Sequence, residues 1–149
     1  KRSAIGQCLD HFNKHTSGSV IGVLEVPRSD VSKYGIAEFD ENQRVTRFIE
    51  KPNPSETTSN WALPGRYIFE AGIIDALKNT PKGKNNELQL TDAMQIMQKV
   101  NPFYVEKMQG ERYDTGDKLG YIMANVAFAL NDPDYKEALR AWLEKKLQS

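Results

Sequence analysis

The spacing of hydrophobic positions changes from one segment of the chain to the next, and it predicts helices that alternate with strands. Residues 3–16 carry an apolar side chain at every third or fourth position, which predicts an amphipathic helix that ends near Gly18. Residues 19–26 are almost continuously apolar, a pattern typical of a strand that is covered on both faces. The beginning of the chain therefore indicates a parallel or mixed sheet flanked by helices.

A hairpin is predicted in the next stretch. Residues 35–39 and 45–50 are strand-like and flank the polar segment 40–43. A polar loop with two prolines occupies 52–60, and 62–69 is a further strand candidate. A short helix is expected after it.

The following segments alternate in the same way. A loop rich in Pro, Gly, Lys and Asn over 80–87 precedes a helix that begins at about Thr91, with Thr91 or Asp92 as its cap. Residues 103–108 then alternate between apolar and polar side chains, like an exposed strand.

Two helices are predicted at the end of the chain. The first begins at Lys118, and the last has Asp132 as its N-cap with Pro133 in its first turn. The whole pattern predicts an α/β fold in one domain over 1–149, a mixed sheet flanked by helices. The helix from Lys118 is expected to turn five apolar side chains inward: Leu119, Ile122, Met123, Val126 and Leu130.

Composition and charge narrow the class of protein. Hydrophobic residues make up 39% of the chain and charged residues 27%, which is typical of a soluble globular domain. The 20 basic and 20 acidic residues cancel, so net charge favours neither a nucleic-acid nor a membrane partner. The single cysteine, Cys8, fits a reducing compartment, and the sequence predicts a cytoplasmic location. The chain opens on Lys1-Arg2 rather than Met, so we expect it to be a piece of a longer protein.

Gly35, Glu50 and Lys51 are candidates for a sugar-phosphate site at the ends of the two hairpin strands. A glycine lets the backbone approach a ligand closely, a carboxylate accepts two hydroxyl groups, and a lysine offers a point charge to phosphate. Pro52 stops the second strand and fixes where the acid and the cation point. By themselves these residues also fit a turn glycine and a solvated ion pair at a strand end.

A second candidate lies between a strand and a helix, at residues 114–117. In α/β sheets, ligands bind at such junctions when they lie at the carboxyl ends of the strands. Asp117 is well placed to cap the helix, whereas Asp114 comes too early for a cap and is the better candidate for magnesium. His11 and His15 have a spacing that can hold zinc, but the sequence offers no third ligand nearby.

Six short segments carry a resemblance to a known family. They are Glu25-Val26-Pro27, Ser32-Lys33-Tyr34-Gly35-Ile36, Glu50-Lys51-Pro52, Gly65-Arg66-Tyr67-Ile68, Glu87-Leu88-Gln89-Leu90-Thr91-Asp92-Ala93, and Arg112-Tyr113-Asp114-Thr115-Gly116-Asp117-Lys118-Leu119-Gly120-Tyr121. In this order they resemble the C-terminal portion of the bacterial UTP–glucose-1-phosphate uridylyltransferase family, the UDP-glucose pyrophosphorylases. The last four residues of the final segment favour the glucose-uridylyl branch over the thymidylyl and mannose-1-phosphate guanylyl relatives.

The resemblance implies roles for five residues. Gly35 would present its N–H to the sugar, Glu50 would bind glucose hydroxyls, and Lys51 would bind the sugar phosphate and serve in catalysis. Glu87 would lie in the wall of the sugar pocket, and Asp114 would be one of two aspartates that hold Mg²⁺. In the family, glucose 1-phosphate attacks the α-phosphorus of UTP and pyrophosphate leaves, so UTP and glucose 1-phosphate are the expected partners.

The same resemblance implies that part of the enzyme is missing. The family's Gly-rich phosphate loop and its second metal-binding aspartate have no counterpart in residues 1–149. We therefore expect a partial nucleotidyltransferase (Rossmann-like) fold that lacks its N-terminal nucleotide-binding half and is inactive by itself. The full-length parent is expected to be an enzyme and a homo-oligomer. The alternative is a sugar-phosphate-binding or subunit-assembly module without catalysis.

Overall fold

The structure, a computed structural model of the chain, describes residues 2–83 and 86–148. It divides into two compact units, Lys1–Gln109 with the sheet and Gly110–Ser149 with two helices. That these units belong to one domain over 1–149 stays a prediction. Within the described ranges, no helix combines the length and the apolar character needed to cross a membrane.

A mixed sheet forms the centre of the first unit. Its first strand, β1 (Ser19–Glu25), begins with five buried residues, as its continuous apolar run predicts. The other strands are β2 (Gly35–Phe39), β3 (Val45–Glu50), β4 (Trp61–Ala62), β5 (Tyr67–Ile68) and β6 (Phe103–Lys107). The strand order is β3-β2-β4-β1-β5, and β6 pairs with β1 in parallel. The predicted hairpin, β2 and β3, has the predicted bounds.

The first helix, α1 (Ala4–Phe12), is capped by Ser3, whose Oγ accepts the N–H of Gly6 at 3.2 Å. It ends earlier than the predicted residue 16. The N–H groups of Lys14 and His15 bond to carbonyls three residues back, which tightens the last turn and closes the helix. Further helices in the described part of this unit are a 3₁₀ helix (Arg28–Lys33), α2 (Gly72–Lys78) and α3 (Leu90–Gln98).

The segment predicted as one strand, 62–69, forms two short strands instead. β4 pairs antiparallel with the end of β1, and β5 pairs antiparallel with its beginning. Between them Pro64 lacks an N–H for a ladder, and Gly65 has φ +82°, a left-handed conformation that glycine adopts easily. The chain therefore turns at Pro64-Gly65 and crosses from one half of β1 to the other.

The core of the first unit packs α2 and α3 against the sheet. The rings of Phe48 and Phe103 meet edge to face with centroids 5.3 Å apart, and Met94 belongs to the same buried cluster. The prediction of an exposed strand over 103–108 is wrong, because β6 lies beside β1 and its residues Phe103 and Val105 are fully buried.

The second unit contains α4 (Lys118–Asn131) and α5 (Lys136–Leu147). Asp117 caps α4 as predicted, and its Oδ2 accepts the N–H of Gly120 at 2.8 Å. The predicted inward face of α4 is wrong for Leu119, Ile122 and Met123, which are exposed. Val126 and Leu130 are half-buried, and Ala124 is buried. A helix buries its apolar stripe only against another packed element, and this unit supplies one other helix.

The last helix begins later than predicted. Tyr135, not Asp132, is the N-cap of α5. The Asp132 side chain accepts the N–H of Asp134 at 2.9 Å, so it forms a turn between the helices instead of a cap.

Candidate functional site

A cavity of about 300 Å³ lies where β2 begins and β3 ends, beside the first turn of α3. The antiparallel ladder pairs Gly35 directly with Glu50, and Lys51 follows at the end of β3. The structure therefore brings together the three residues that the sequence predicts as candidates for a sugar-phosphate site. The described residues that line the cavity are Lys33, Tyr34, Gly35, Glu50, Lys51, Leu63, Tyr67, Gln89, Leu90, Thr91 and Met94.

Gly35 and Glu50 form a pair that exchanges no hydrogen bonds in the ladder. The N–H of Lys51 donates to the C=O of Tyr34 at 3.1 Å just beyond this pair, so the N–H and C=O of Gly35 point away from β3. Opposite side chains approach most closely in such pairs. A Cβ at residue 35 would lie 3.0 Å from Glu50 Oε2 and 3.1 Å from Leu63 Cδ1. The absence of a side chain at Gly35 keeps the cavity open beside the carboxylate.

Thr91 orients the carboxylate of Glu50. It is buried in the first turn of α3, and its Oγ1 donates to Glu50 Oε2 at 3.0 Å. The prediction that Thr91 or Asp92 caps the helix is wrong, because α3 begins at Leu90 with Gln89 at its N-cap. The sequence could indicate Thr91 only as a polar residue beside the apolar positions of a predicted helix. It could not indicate the partner, Glu50, which lies far away in the sequence.

Tyr67 adds a half-buried phenol to the cavity wall. Burial raises the pKa of Tyr67 above its usual value, and the charge of Glu50 acts in the same direction. The hydroxyl therefore stays protonated at neutral pH and is a potential donor to a sugar oxygen.

The backbone of Lys51 is strained. Its φ is +43°, which non-glycine residues seldom adopt, and the following proline restricts its conformations further. The side chain of Pro52 is fully buried, so it anchors the chain immediately after Lys51. Strain of this kind costs about 1–3 kcal/mol and is concentrated at functional sites.

Glu87, which the family resemblance places in the pocket wall, is exposed and is not among the described residues that line the cavity. Its C=O accepts the N–H of Gly83 at 2.9 Å, and its carboxylate accepts Gln89 Nε2 at 3.5 Å. Gln89 does line the cavity. Residues 84 and 85 of the predicted loop over 80–87 lie outside the described residues.

Asp114 lies in the second unit, on an exposed turn before α4. Its Oδ1 accepts the N–H of Gly116 at 3.1 Å, and its Oδ2 accepts the Arg112 guanidinium at 2.9 Å. The Gly116 N–H and then the guanidinium lower the pKa of Asp114 below its usual value. The carboxylate is therefore charged at neutral pH.

Gly120 sets how closely the Asp114 turn approaches α4. A Cβ at residue 120 would lie 2.0 Å from the carbonyl oxygen of Asp114 and 3.0 Å from its carbonyl carbon. This contact is with backbone, so rotation of a side chain cannot relieve it. The sequence gives no local signal for it, because a glycine in the first turn of a helix is compatible with many structures.

The surroundings of Asp114 fit a single ligand to a magnesium ion. Mg²⁺ binds one or two carboxylates and completes its coordination with water and phosphate oxygens. Asp114 is charged, faces solvent and has each oxygen held by one donor. Across residues 2–83 and 86–148, no group of three His, Cys, Asp or Glu side chains is arranged to hold a metal.

The two histidines have other neighbours. His11 Nδ1 lies 2.7 Å from Glu106 Oε2, and His15 stacks on Tyr104 with ring centroids 4.0 Å apart. Burial, then the nearby His11 and Lys14, lowers the pKa of His15. Both imidazole rings therefore make packing or hydrogen-bond contacts within the first unit.

Comparison with known proteins identifies the class. The family model described as nucleotidyl transferase matches residues 1–130, and the chain belongs to this family. A UTP–glucose-1-phosphate uridylyltransferase from Staphylococcus epidermidis is 38% identical over 146 residues, which are 95% of this chain and 50% of that protein. One from Streptococcus pyogenes is 35% identical over 144 residues, which are 93% of this chain and 47% of that protein. The chain thus spans about half the length of the curated relatives it matches, their C-terminal portion.

Solved structures agree with the sequence relatives. A UTP-bound UGPase from Acinetobacter baumannii superposes with a TM-score of 0.81 at 29% identity, over 93% of this chain and 48% of that one. A UDP-glucose pyrophosphorylase complexed with UDP-glucose gives 0.77 at 35% identity, over 87% and 50% of the two chains. The predictions of the family and of a partial nucleotidyltransferase fold with a mixed sheet are confirmed. Nucleotidyltransferases of this family generally use a divalent metal.

Proposed function

We propose that this chain is the sugar-phosphate half of a UTP–glucose-1-phosphate uridylyltransferase, whose whole protein makes UDP-glucose and pyrophosphate from UTP and glucose 1-phosphate. The cavity that joins Gly35, Glu50 and Lys51 is the observation that carries the proposal. Glu50, Gly35 and Lys51 all line this cavity, and the chain matches relatives that carry this enzyme name, which supports the proposal.

The carboxylate of Glu50 is the proposed anchor for glucose hydroxyls. Thr91 occupies one lone pair of Oε2, which fixes the plane of the carboxylate and leaves Oε1 and the remaining lone pairs for the sugar. The Gly35 N–H points away from β3, so it is proposed as a donor to the same sugar. Glu87 is retained as a proposed contact only through its link to Gln89, which lines the cavity.

Lys51 is the proposed catalytic residue. Its ammonium would meet the phosphate of glucose 1-phosphate as a point charge and hold the attacking phosphate in line. The strained backbone supports this role, because a φ of +43° before proline is retained where geometry matters more than stability.

Asp114 is the proposed ligand for Mg²⁺. The metal supplies neutralisation of phosphate charge when it is bound. The chain contributes a carboxylate that its Gly116 and Arg112 partners keep charged and oriented. A cytoplasmic location is proposed from the lone free thiol of Cys8, and the balanced charge supports neither a nucleic-acid nor a membrane partner.

The proposal predicts that residues 1–149 alone make no UDP-glucose, whereas fusion to the N-terminal half of the Staphylococcus epidermidis relative restores synthesis. The relative's unmatched half would supply the nucleotide-binding part that residues 1–149 do not contain. Pyrophosphate release from UTP and glucose 1-phosphate is the measurement. The control is the same fusion with Lys51→Ala. A fusion that folds and binds UTP but forms no product contradicts the proposal.

Weak binding to the isolated chain is also expected. Without nucleotide contacts, glucose 1-phosphate should bind in the millimolar range, about −4 kcal/mol. A ¹H–¹⁵N titration should shift the amides of Gly35 and Lys51, and Glu50→Gln should reduce the shifts. The amide of Gly18, which donates to Glu70 Oε1 at 2.6 Å and is not among the described residues that line the cavity, is the internal reference. Saturating ligand that moves neither site amide of a folded chain counts against the site.

A subunit-assembly role is the second candidate, and it concerns α4. Leu119, Ile122 and Met123 are 63%, 58% and 52% exposed, and their spacing puts them on one face of the helix, where they form an exposed apolar patch. We propose that the full-length protein forms a homo-oligomer through this helix. Sedimentation of residues 1–149 tests the assembly role: a monomer at all concentrations argues against it.

A further inference from the structure

The loop over 53–60, which follows Lys51-Pro52, is fastened to the segment that enters β2. Arg28, the first residue of the 3₁₀ helix, donates from Nη1 to the C=O of Ser59 at 2.9 Å and from Nη2 to the C=O of Thr57 at 2.8 Å. Its Nη2 also donates to the C=O of Pro54. A guanidinium is suited to this role because its donors form a rigid fork.

Both segments joined by Arg28 reach the cavity. The 3₁₀ helix leads through Tyr34 into Gly35, and the C=O of Tyr34 accepts the N–H of Lys51. The loop begins directly after Pro52, which is buried and follows the cavity residue Lys51. Lys51 is therefore held from both sides by the two segments that Arg28 ties together.

The hydrogen bonds of Arg28 matter because the backbone of Lys51 is strained. A lysine with positive φ before proline returns to an ordinary conformation unless its surroundings over-determine it. Two further bonds attach the loop to β2: the Oγ of Ser59 donates to the C=O of Ala37 at 2.7 Å, and Thr57 Oγ1 donates to Glu38. These bonds hold the far end of the loop. The bond from Arg28 to Pro54 holds the end next to Lys51.

We propose that Arg28 is a positioning residue for the sugar-phosphate site, which keeps Lys51 in its strained conformation at the cavity. It does so without touching the ligand, since Arg28 is not among the described residues that line the cavity. The inference rests on the proposed function of Lys51 for its consequence in binding, but its structural part does not depend on a ligand.

The test compares Arg28→Gln and Arg28→Lys in residues 1–149. In the free wild-type chain, the positive φ of Lys51 should give a strong intraresidue HN–Hα cross-peak in a ¹⁵N-edited NOE spectrum. Arg28→Gln should weaken this cross-peak and shift the Lys51 amide. Arg28→Lys should do the same to a lesser degree, because an ammonium keeps the charge and donors but is a compact group that lacks the spread of the rigid guanidinium fork. This variant serves if the glutamine variant does not fold. Unchanged Lys51 signals in both variants overturn the proposal.

Binding supplies the second measurement. Arg28→Gln should weaken glucose 1-phosphate binding about three- to tenfold, which corresponds to about 0.7–1.4 kcal/mol and so to the lower part of the strain at Lys51. In a Lys51→Ala background the same substitution should change binding little, because Arg28 acts through Lys51. Arg47→Gln is the matched control, since Arg47 makes one long bond to this loop, 3.5 Å to the C=O of Glu56.

The outcomes separate the two proposals. If the wild-type chain does not bind glucose 1-phosphate, the proposed function fails, while the Lys51 cross-peak still decides the role of Arg28. An Arg28→Gln effect on binding that persists undiminished in the Lys51→Ala background overturns the positioning role.

Discussion

A chain with Gly120→Ala is expected to lose the present conformation of the Asp114 turn. The new Cβ would lie 2.0 Å from the carbonyl oxygen of Asp114, so either the turn or the start of α4 must move. Helix propensity opposes this effect, since Ala stabilises a helix by about 1 kcal/mol over Gly. Overpacking typically costs about 1–3 kcal/mol, and here it falls on backbone that cannot rotate away. The net result should be destabilisation of the turn.

Amide shifts of residues 112–117 and a Mn²⁺ titration followed by relaxation measure this effect. We expect large changes in these amide shifts and at least a severalfold loss of affinity for Mn²⁺. Gly72→Ala is the matched control, because Gly72 is the first residue of α2 and a Cβ there would meet only Met97 Cε, at 3.6 Å. Unchanged amide shifts in a folded Gly120→Ala chain contradict the close approach seen in the structure.

The parts of the fold that the sequence predicts well are those set by neighbouring residues. The hairpin has its predicted bounds because strand-like alternation and a polar turn both lie within 35–50. The continuous apolar run of β1 correctly predicts a buried strand. In contrast, the burial of β6 depends on pairing with β1, which is far away in the sequence, so alternation alone is misleading.

The candidate site also combines contacts that neighbouring residues determine with contacts between residues far apart in the sequence. Gly35, Glu50 and Lys51 meet because they occupy facing ends of one hairpin, so a correct hairpin places them together. Thr91 reaches Glu50 from a different helix, and no local pattern indicates that contact. The exposure of Leu119 and Ile122 could not be predicted either, because helical periodicity identifies an apolar stripe but does not show whether another element covers it.

In the fusion with the nucleotide-binding half, Lys51→Ala and Asp114→Ala are expected to fail in different ways. Lys51 would contact the phosphate of glucose 1-phosphate before and during transfer, so its loss should raise KM for that substrate and also lower kcat. Asp114 would hold the metal that neutralises charge during transfer, so its loss should lower kcat by about 100-fold or more with a smaller change in KM. Raised magnesium should restore part of the rate in Asp114→Ala and none in Lys51→Ala.

Two conservative variants sharpen this comparison. Lys51→Arg keeps the cation and should retain more activity than Lys51→Ala, although the planar fork does not reproduce a point charge. Asp117→Asn should leave the rate nearly unchanged, because Asn caps a helix as well as Asp and the structure gives Asp117 to the α4 cap. Melting temperatures should stay close to wild type for each variant, since exposed polar residues seldom contribute more than about 0.5 kcal/mol to folding. If Asp117→Asn instead depends on magnesium while Asp114→Ala does not, Asp117 is the metal ligand and the assignment of Asp114 is wrong.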